Sequence, residues 1–221
     1  MSDPLPDDAT FIAAALAVVR ERCRLEITRR EQAGLVPRDP AEVVAGQTRD
    51  VAEIQATLGE AEEALEATLN ARLEAQDGEP ALLVFQDNFG LSDFERDVVL
   101  MALAPAIDGT FNGLYGRLKG STGRAPLDVD VVLSVLGGDA EDRIRQRAVF
   151  SPDAPLLHHN LLLVGRRGRD GGDDFLNLEL RLPGRIVALL LGGEGVDPSL
   201  HGFSQLIEPT ETLEQVVLPP T

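Results

Sequence analysis

The sequence predicts a mainly α chain with one small β-hairpin, arranged as an N-terminal antiparallel helical hairpin followed by a domain of shorter helices that ends in two strands. Three observations predict it. Apolar residues recur every three or four positions along two long N-terminal stretches, the period of a helix with one buried face. A glycine and a capping box stand back to back at Gly90 and Ser92, the mark of a helix–turn–helix corner. Late in the chain the period drops to two, most cleanly in Phe175-Leu176-Asn177-Leu178-Glu179-Leu180-Arg181-Leu182, as in a strand with one buried face.

Taken in order, residues 1–9 are acidic and proline-rich and read as a disordered tail, with Thr10 as N-cap of a helix reaching about Gln32. Ile12, Leu16, Val19, Cys23 and Ile27 form its stripe, and Gly34 and Pro37 end it. After a loop over 35–46, Val51, Ile54, Leu58, Ala61, Leu65, Leu69 and Leu73 form a second stripe to about Gln76. Two long helices joined by a short loop pack as an antiparallel hairpin, here over residues 10–77. The second stripe also suits a seam between subunits, but intrachain cover carries the smaller entropy cost and is the expectation. Asp77-Gly78-Glu79-Pro80 is a turn-rich break and is read as a domain boundary.

The second domain is expected over 79–192, with helices at 81–88, 92–106, 109–118, 129–136 and 140–149. Strands follow at 156–164 and 175–182 across a glycine- and charge-rich loop, then a last helical turn or two over 184–191. Helices followed by a long-looped hairpin make a winged helix, with 129–136 as its recognition helix. Residues 193–221 read as a connector. At the corner, Gly90 stops the incoming helix in a left-handed cap, and Ser92 and Glu95 open the next as an S-x-x-E box. Phe94, Val98, Met101 and Ala102 then build an apolar face until Pro105 ends the run.

Composition narrows the partners. Lys and Arg total 20 against 37 Asp and Glu, a formal charge of -17 that repels nucleic acid and anionic membranes at long range. The expected partner is protein. Cys23 is the single cysteine, so an intramolecular disulfide is excluded, and a buried small apolar role is expected for it. The start of the chain lacks the basic residues of a signal peptide, and the apolar run 11–19 is too short to span a bilayer. A cytoplasmic protein is expected.

No catalytic constellation emerges. A phosphate-binding loop needs G-x-x-x-x-G-K-[ST]; the nearest string, GRLKGSTG at 116–123, has Lys119 ahead of its glycine and lacks flanking strand and helix. ATP binding by this chain is therefore not expected. His158 and His159 would point to opposite faces of a strand, and His201 has no ligand-spaced neighbour, so no zinc site is expected. The carboxylate pairs Glu62-Glu63 and Asp173-Asp174 read as solvated charge, and Ser92 is accounted for by capping. Arg166-Arg167-Gly168-Arg169 at the hairpin tip is the candidate contact wing. Phosphate binding there is opposed by the net charge, by Asp170, Asp173 and Asp174, and by a recognition helix with two acids and no base. A wing facing protein is expected.

The strings FGLSDFERDVVLMALAPAID, LYGRLKG and RAPLDVDVVLSVL, from residue 89 to 136, carry a family likeness. They resemble the variant winged-helix domain that precedes the ATPase module in a group of bacterial AAA-type ATPases, including those encoded with contractile injection systems. The likeness spans roughly residues 79–219 and is most specific at Phe89, Gly90, Leu91, Ser92, Phe94, Glu95, Arg96, Asp97 and Pro105. Where that family carries acidic residues and then a basic run before Pro-Thr, this chain reads Gly120-Ser121-Thr122-Gly123-Arg124-Ala125-Pro126-Leu127, so no charge-dependent contact is implied there. The resemblance implies a non-catalytic N-terminal module for assembly, regulation or recruitment. It also implies that ATP and magnesium bind a module beyond Thr221, that self-association runs through the ATPase ring, and that TLEQVVLP at 212–219 is the connector. A transcription-type winged-helix DNA-binding protein is the alternative, and a free-standing scaffold a third.

Overall fold

The computed structural model describes residues 8–38, 50–75, 78–165 and 174–192. Helix α1 (Asp8–Gln32) begins ahead of Thr10, which lies inside it rather than capping it. The reason is a tether: one Asp8 carboxylate oxygen accepts from Arg72 Nη1 at 2.7 Å and from the Ala81 backbone N–H at 2.9 Å, which holds the first turn down. Helix α2 (Val51–Ala75) runs antiparallel to α1, as the ion pairs Asp8–Arg72 and Arg22–Glu62 require.

The predicted stripe of α1 is buried, but so are Phe11, Val18, Glu21 and Leu25. α1 packs against α2 on one side and against α4, α5 and α6 on the other, so it is a central helix with more than one apolar face. The stripe of α2 is thinly covered: Ile54 is buried, Leu65 and Leu69 are half-buried, and Leu73 is 52% exposed. Arg72 already pairs with the first residue of α1, which leaves no α1 side chain beyond it to cover Leu73. One interior joins Phe11, Leu16 and Cys23 to Leu82, Met101, Val132 and Leu180, so the core crosses the break at 77–80.

The shorter helices are α3 (Ala81–Phe89), α4 (Asp93–Ile107), α5 (Phe111–Leu118), α6 (Val129–Leu136) and α7 (Ala140–Gln146), the last tightening into a 3-10 turn at Arg147–Phe150. Between α3 and α4 the corner forms as its residues dictate. Gly90 sits at φ 61 and ψ 36, Leu91 N–H donates to Gln86 O and Gly90 N–H to Asp87 O, which is a Schellman cap. Ser92 Oγ accepts from Glu95 N–H, and Glu95 Oε2 accepts from Ser92 N–H at 2.9 Å, closing the box.

Helix α4 runs through Pro105 to Ile107, one residue past the end expected at 106, so the apolar run does not stop at the proline. A proline inside a helix cannot donate to the carbonyl four residues back, here that of Met101. The buried Tyr115 hydroxyl supplies that bond at 2.8 Å. Tyr115→Phe is expected to cost about 1–3 kcal/mol, because it leaves a buried acceptor unmet. In a Pro105→Ala background the new N–H can serve Met101 O, and the cost of Tyr115→Phe should shrink. Urea melts of the four proteins measure this coupling; equal costs in both backgrounds would remove Tyr115 as the compensating donor.

The predicted strand 156–164 is mostly something else. Pro155 opens a helical turn, α8 (Pro155–His158), Asn160 follows at φ 52, and only β1 (Leu163–Gly165) is extended. The second run also divides, since Asp174 accepts from Leu176 N–H and caps a 3-10 turn at Phe175–Asn177 ahead of β2 (Glu179–Arg181). β1 and β2 are antiparallel, with Leu163 opposite Arg181, Val164 opposite Leu180 and Gly165 opposite Glu179. On its other side β2 meets the entry to α6, through Leu180 N–H to Leu127 O and Val129 N–H to Leu178 O. Helix α9 (Gly184–Leu190) follows and packs on α3.

Candidate functional site

The capping box sets the rotation of α4 and so decides what its next residues face. Arg96 and Asp97, one step past Glu95, reach the seam where α4 approaches α1 and α2. Asp97 is bracketed there: Oδ2 accepts from Arg22 Nη1 at 2.8 Å, and Oδ1 from Arg96 Nη2 at 2.9 Å. Arg22 extends its other arm to Glu62 at 3.1 Å, while Arg96 also pairs with Asp93 at 2.9 Å. These charges rim a cavity of about 260 Å³, open at one side and lined by residues of α1, α2, α3 and α4. Its lining below the rim is apolar, including Phe11, Val18, Leu69, Leu82 and Leu100. Both oxygens of Asp97 are occupied by guanidinium groups, so the arrangement suits packing and binding rather than proton transfer.

A second, polar cleft of about 510 Å³ lies where the end of α1 meets the α5–α6 loop and the base of the hairpin. Asp128 is buried in its wall, caps α6 by accepting from Val131 N–H at 3.0 Å, and pairs with Lys119. Burial raises the Asp128 carboxyl above its ordinary range, while Lys119 and the Val131 N–H pull in the other direction. Lys119 Nζ also donates to Pro126 O at 3.0 Å. The lysine of the string 116–123 is thus committed to a carboxylate and a carbonyl. Its glycine has a packing reason: the Gly123 carbonyl lies against the bare Cα of Gly116, and Ser121 N–H donates to Gly116 O.

The family-likeness residues divide into two groups. Gly90, Ser92 and Glu95 build the corner; Leu91 is buried, and Phe94 packs against the core. Phe89 stacks between Phe85 at 4.9 Å and His159 at 5.4 Å. Arg96 and Asp97 alone among them reach the cavity. Arg166, Arg167 and Arg169, the candidate wing, lie outside the described residues, as do Asp170, Asp173, His201 and the connector. His158 and His159 are not on a strand; both are exposed at the end of α8 with ring centroids 4.8 Å apart. Among the described residues no cluster of three or more potential ligands could hold a metal. Cys23 is fully buried, and its thiol is pushed up to about 12 by burial, with Glu21 adding to the effect.

Sequence reasoning missed Arg22 and Glu62 as rim residues and Asp8 with Arg72 as the clip. Arg22 lies 75 residues from Asp97 and Asp8 64 from Arg72, so no local spacing announces either pair. No curated protein and no solved structure matches the chain. The winged helix domain, variant, family matches residues 1–204, including both N-terminal helices as well as the corner, α6 and the hairpin. Since that match spans nearly the whole chain, the protein belongs to the variant winged helix domain family.

Proposed function

We propose that the chain is a non-catalytic, protein-binding module that serves assembly, regulation or recruitment for a cytoplasmic AAA-type ATPase, with a contractile injection system as the context suggested by its sequence likeness. ATP, magnesium and ring self-association would then belong to a module encoded beyond Thr221. The observation that supports protein binding over the DNA-binding alternative is α6. Val129, Val131, Val132, Leu133 and Ser134 of this helix are buried, Asp128 caps it, its first turn carries Asp130, and it has no cation. A helix that reads a major groove needs exposed donors and a cationic face, and this one has neither.

Fluorescence anisotropy with labelled duplex DNA at about 50 mM salt, where screening reaches roughly 14 Å, tests this choice. No binding is expected. Tight, salt-sensitive binding that disappears when Arg166, Arg167 and Arg169 are replaced by Glu would overturn it in favour of a DNA-binding wing. The same preparation should be silent to Mg-ATP in calorimetry, and saturable micromolar binding would end the non-catalytic reading. For the ATPase link, the reading frame past Thr221 is expected to encode a strand, a G-x-x-x-x-G-K-[ST] loop and a helix; a stop codon there would sink it.

A further inference from the structure

We propose that the cavity among α1, α2, α3 and α4 is the docking site for a basic amphipathic helix of a protein partner, which inserts two apolar side chains one turn apart. This rests on the protein-binding reading above and names the surface and the chemistry of what it takes.

Size comes first. A cavity of about 150 Å³ lined by aliphatic residues stays dry and accepts benzene. The present one, about 260 Å³ and open at the rim, has room for two branched side chains. On a helix such a pair lies at i and i+3 or i+4, about 5–6 Å apart. The floor offers matching apolar surface from Phe11, Val18, Leu69 and Leu82. The α2 wall can yield to a guest, since Ile54 and Arg72 are its buried residues and its leucines are only half-covered.

Charge selects the guest. Arg22 and Arg96 at the mouth are neutralised by Asp97, Glu62 and Asp93. Glu66 lines the wall with no ion pair among the described residues, and exposed Glu63 stands beside it on α2. The unneutralised charge around the mouth is therefore negative, on a chain of net charge -17, and complements lysines or arginines flanking the apolar pair. An acidic helix would meet repulsion at the same edge.

The probe is a fluorescein-labelled synthetic helix of about 18 residues, built from Leu at i, i+3 and i+4 with Lys elsewhere and titrated at about 150 mM salt. Two controls accompany it, one with Ser for every Leu and one with Glu for every Lys. The Leu/Lys peptide is expected to bind at micromolar concentration, and both controls about tenfold or more weaker. Ala15→Phe, which fills the cavity from the α1 side, should weaken the Leu/Lys peptide by about tenfold, and Glu66→Lys by several-fold. Leu69→Gln, on the half-buried α2 wall, provides the same test if Ala15→Phe does not fold. Equal binding of the Leu/Lys and Ser/Lys peptides, or binding untouched by both cavity variants, would overturn the proposal by reducing the effect to general attraction. A silent peptide titration beside a silent DNA titration would remove this groove and leave the protein-binding reading standing.

Discussion

Gly116→Ala is expected to lower stability by about 3 kcal/mol or more, at the upper end of what overpacking costs. A Cβ built on Gly116 stands 1.8 Å from the Gly123 carbonyl oxygen and 3.0 Å from its carbon. The obstacle is backbone and cannot swing aside as the end of a long side chain can. Its loop is also pinned, by Ser121 N–H to Gly116 O at 2.9 Å, by Ala125 N–H to Asn112 O at 2.8 Å, and by Lys119 on Asp128. Making room for one methyl group means breaking some of these bonds. Gly113, one turn earlier in α5, has nothing within 4 Å of its hypothetical Cβ. Gly113→Ala should therefore stabilise the protein by up to about 1 kcal/mol through helix propensity. Urea melts of the pair decide the matter; a Gly116→Ala midpoint near that of the parent would show that the loop gives way freely.

Asp8→Ala is expected to cost about 2–4 kcal/mol, because one side chain holds three helices. Pro80 precedes α3 and has no side chain that can cap it, so the Asp8 carboxylate takes the Ala81 N–H from across the fold. The same oxygen accepts from the buried Arg72, and its loss withdraws a counter-charge from a side chain only 7% exposed. Asp8 itself is about a third exposed, which places the expectation below the full cost of breaking a buried pair. Asp8→Asn keeps an acceptor for Ala81 while losing the charge and should fall between the two. Thermal melts that rank Asn with Ala would assign the whole effect to Arg72, and a parental midpoint for both would dismiss the clip.

What could be read from the sequence was what neighbours in sequence decide. The helix 129–136 is found at those residues, and the Gly90–Glu95 corner has the caps its letters specify, since both rest on bonds between residues a few positions apart. The helix expected at 92–106 ends one residue later, at Ile107, but what lets it pass Pro105 was not legible, because the remedy, the Tyr115 hydroxyl, comes from another helix. The run at 156–164 looked extended from its apolar letters alone, whereas Pro155 at the first helical position and a left-handed Asn160 turned half of it into a helix end. The cavity was invisible for the same reason as Tyr115. Of its apolar residues only Val19, Leu65 and Leu69 belong to the stripes read from the sequence, and nothing in a stripe says whether the facing helices fill the space between them.

The central position of α1 has a consequence in time. It leaves the ribosome ahead of α4, α5 and α6, which cover its inner side and lie about 60–100 residues further along, several seconds of synthesis at about 5–20 residues per second. Until then Phe11, Leu16 and Val19 have no more than α2 and α3 to shelter them. The nascent chain is thus most prone to aggregate early, and slowing translation before α6 would lengthen the exposure rather than assist folding.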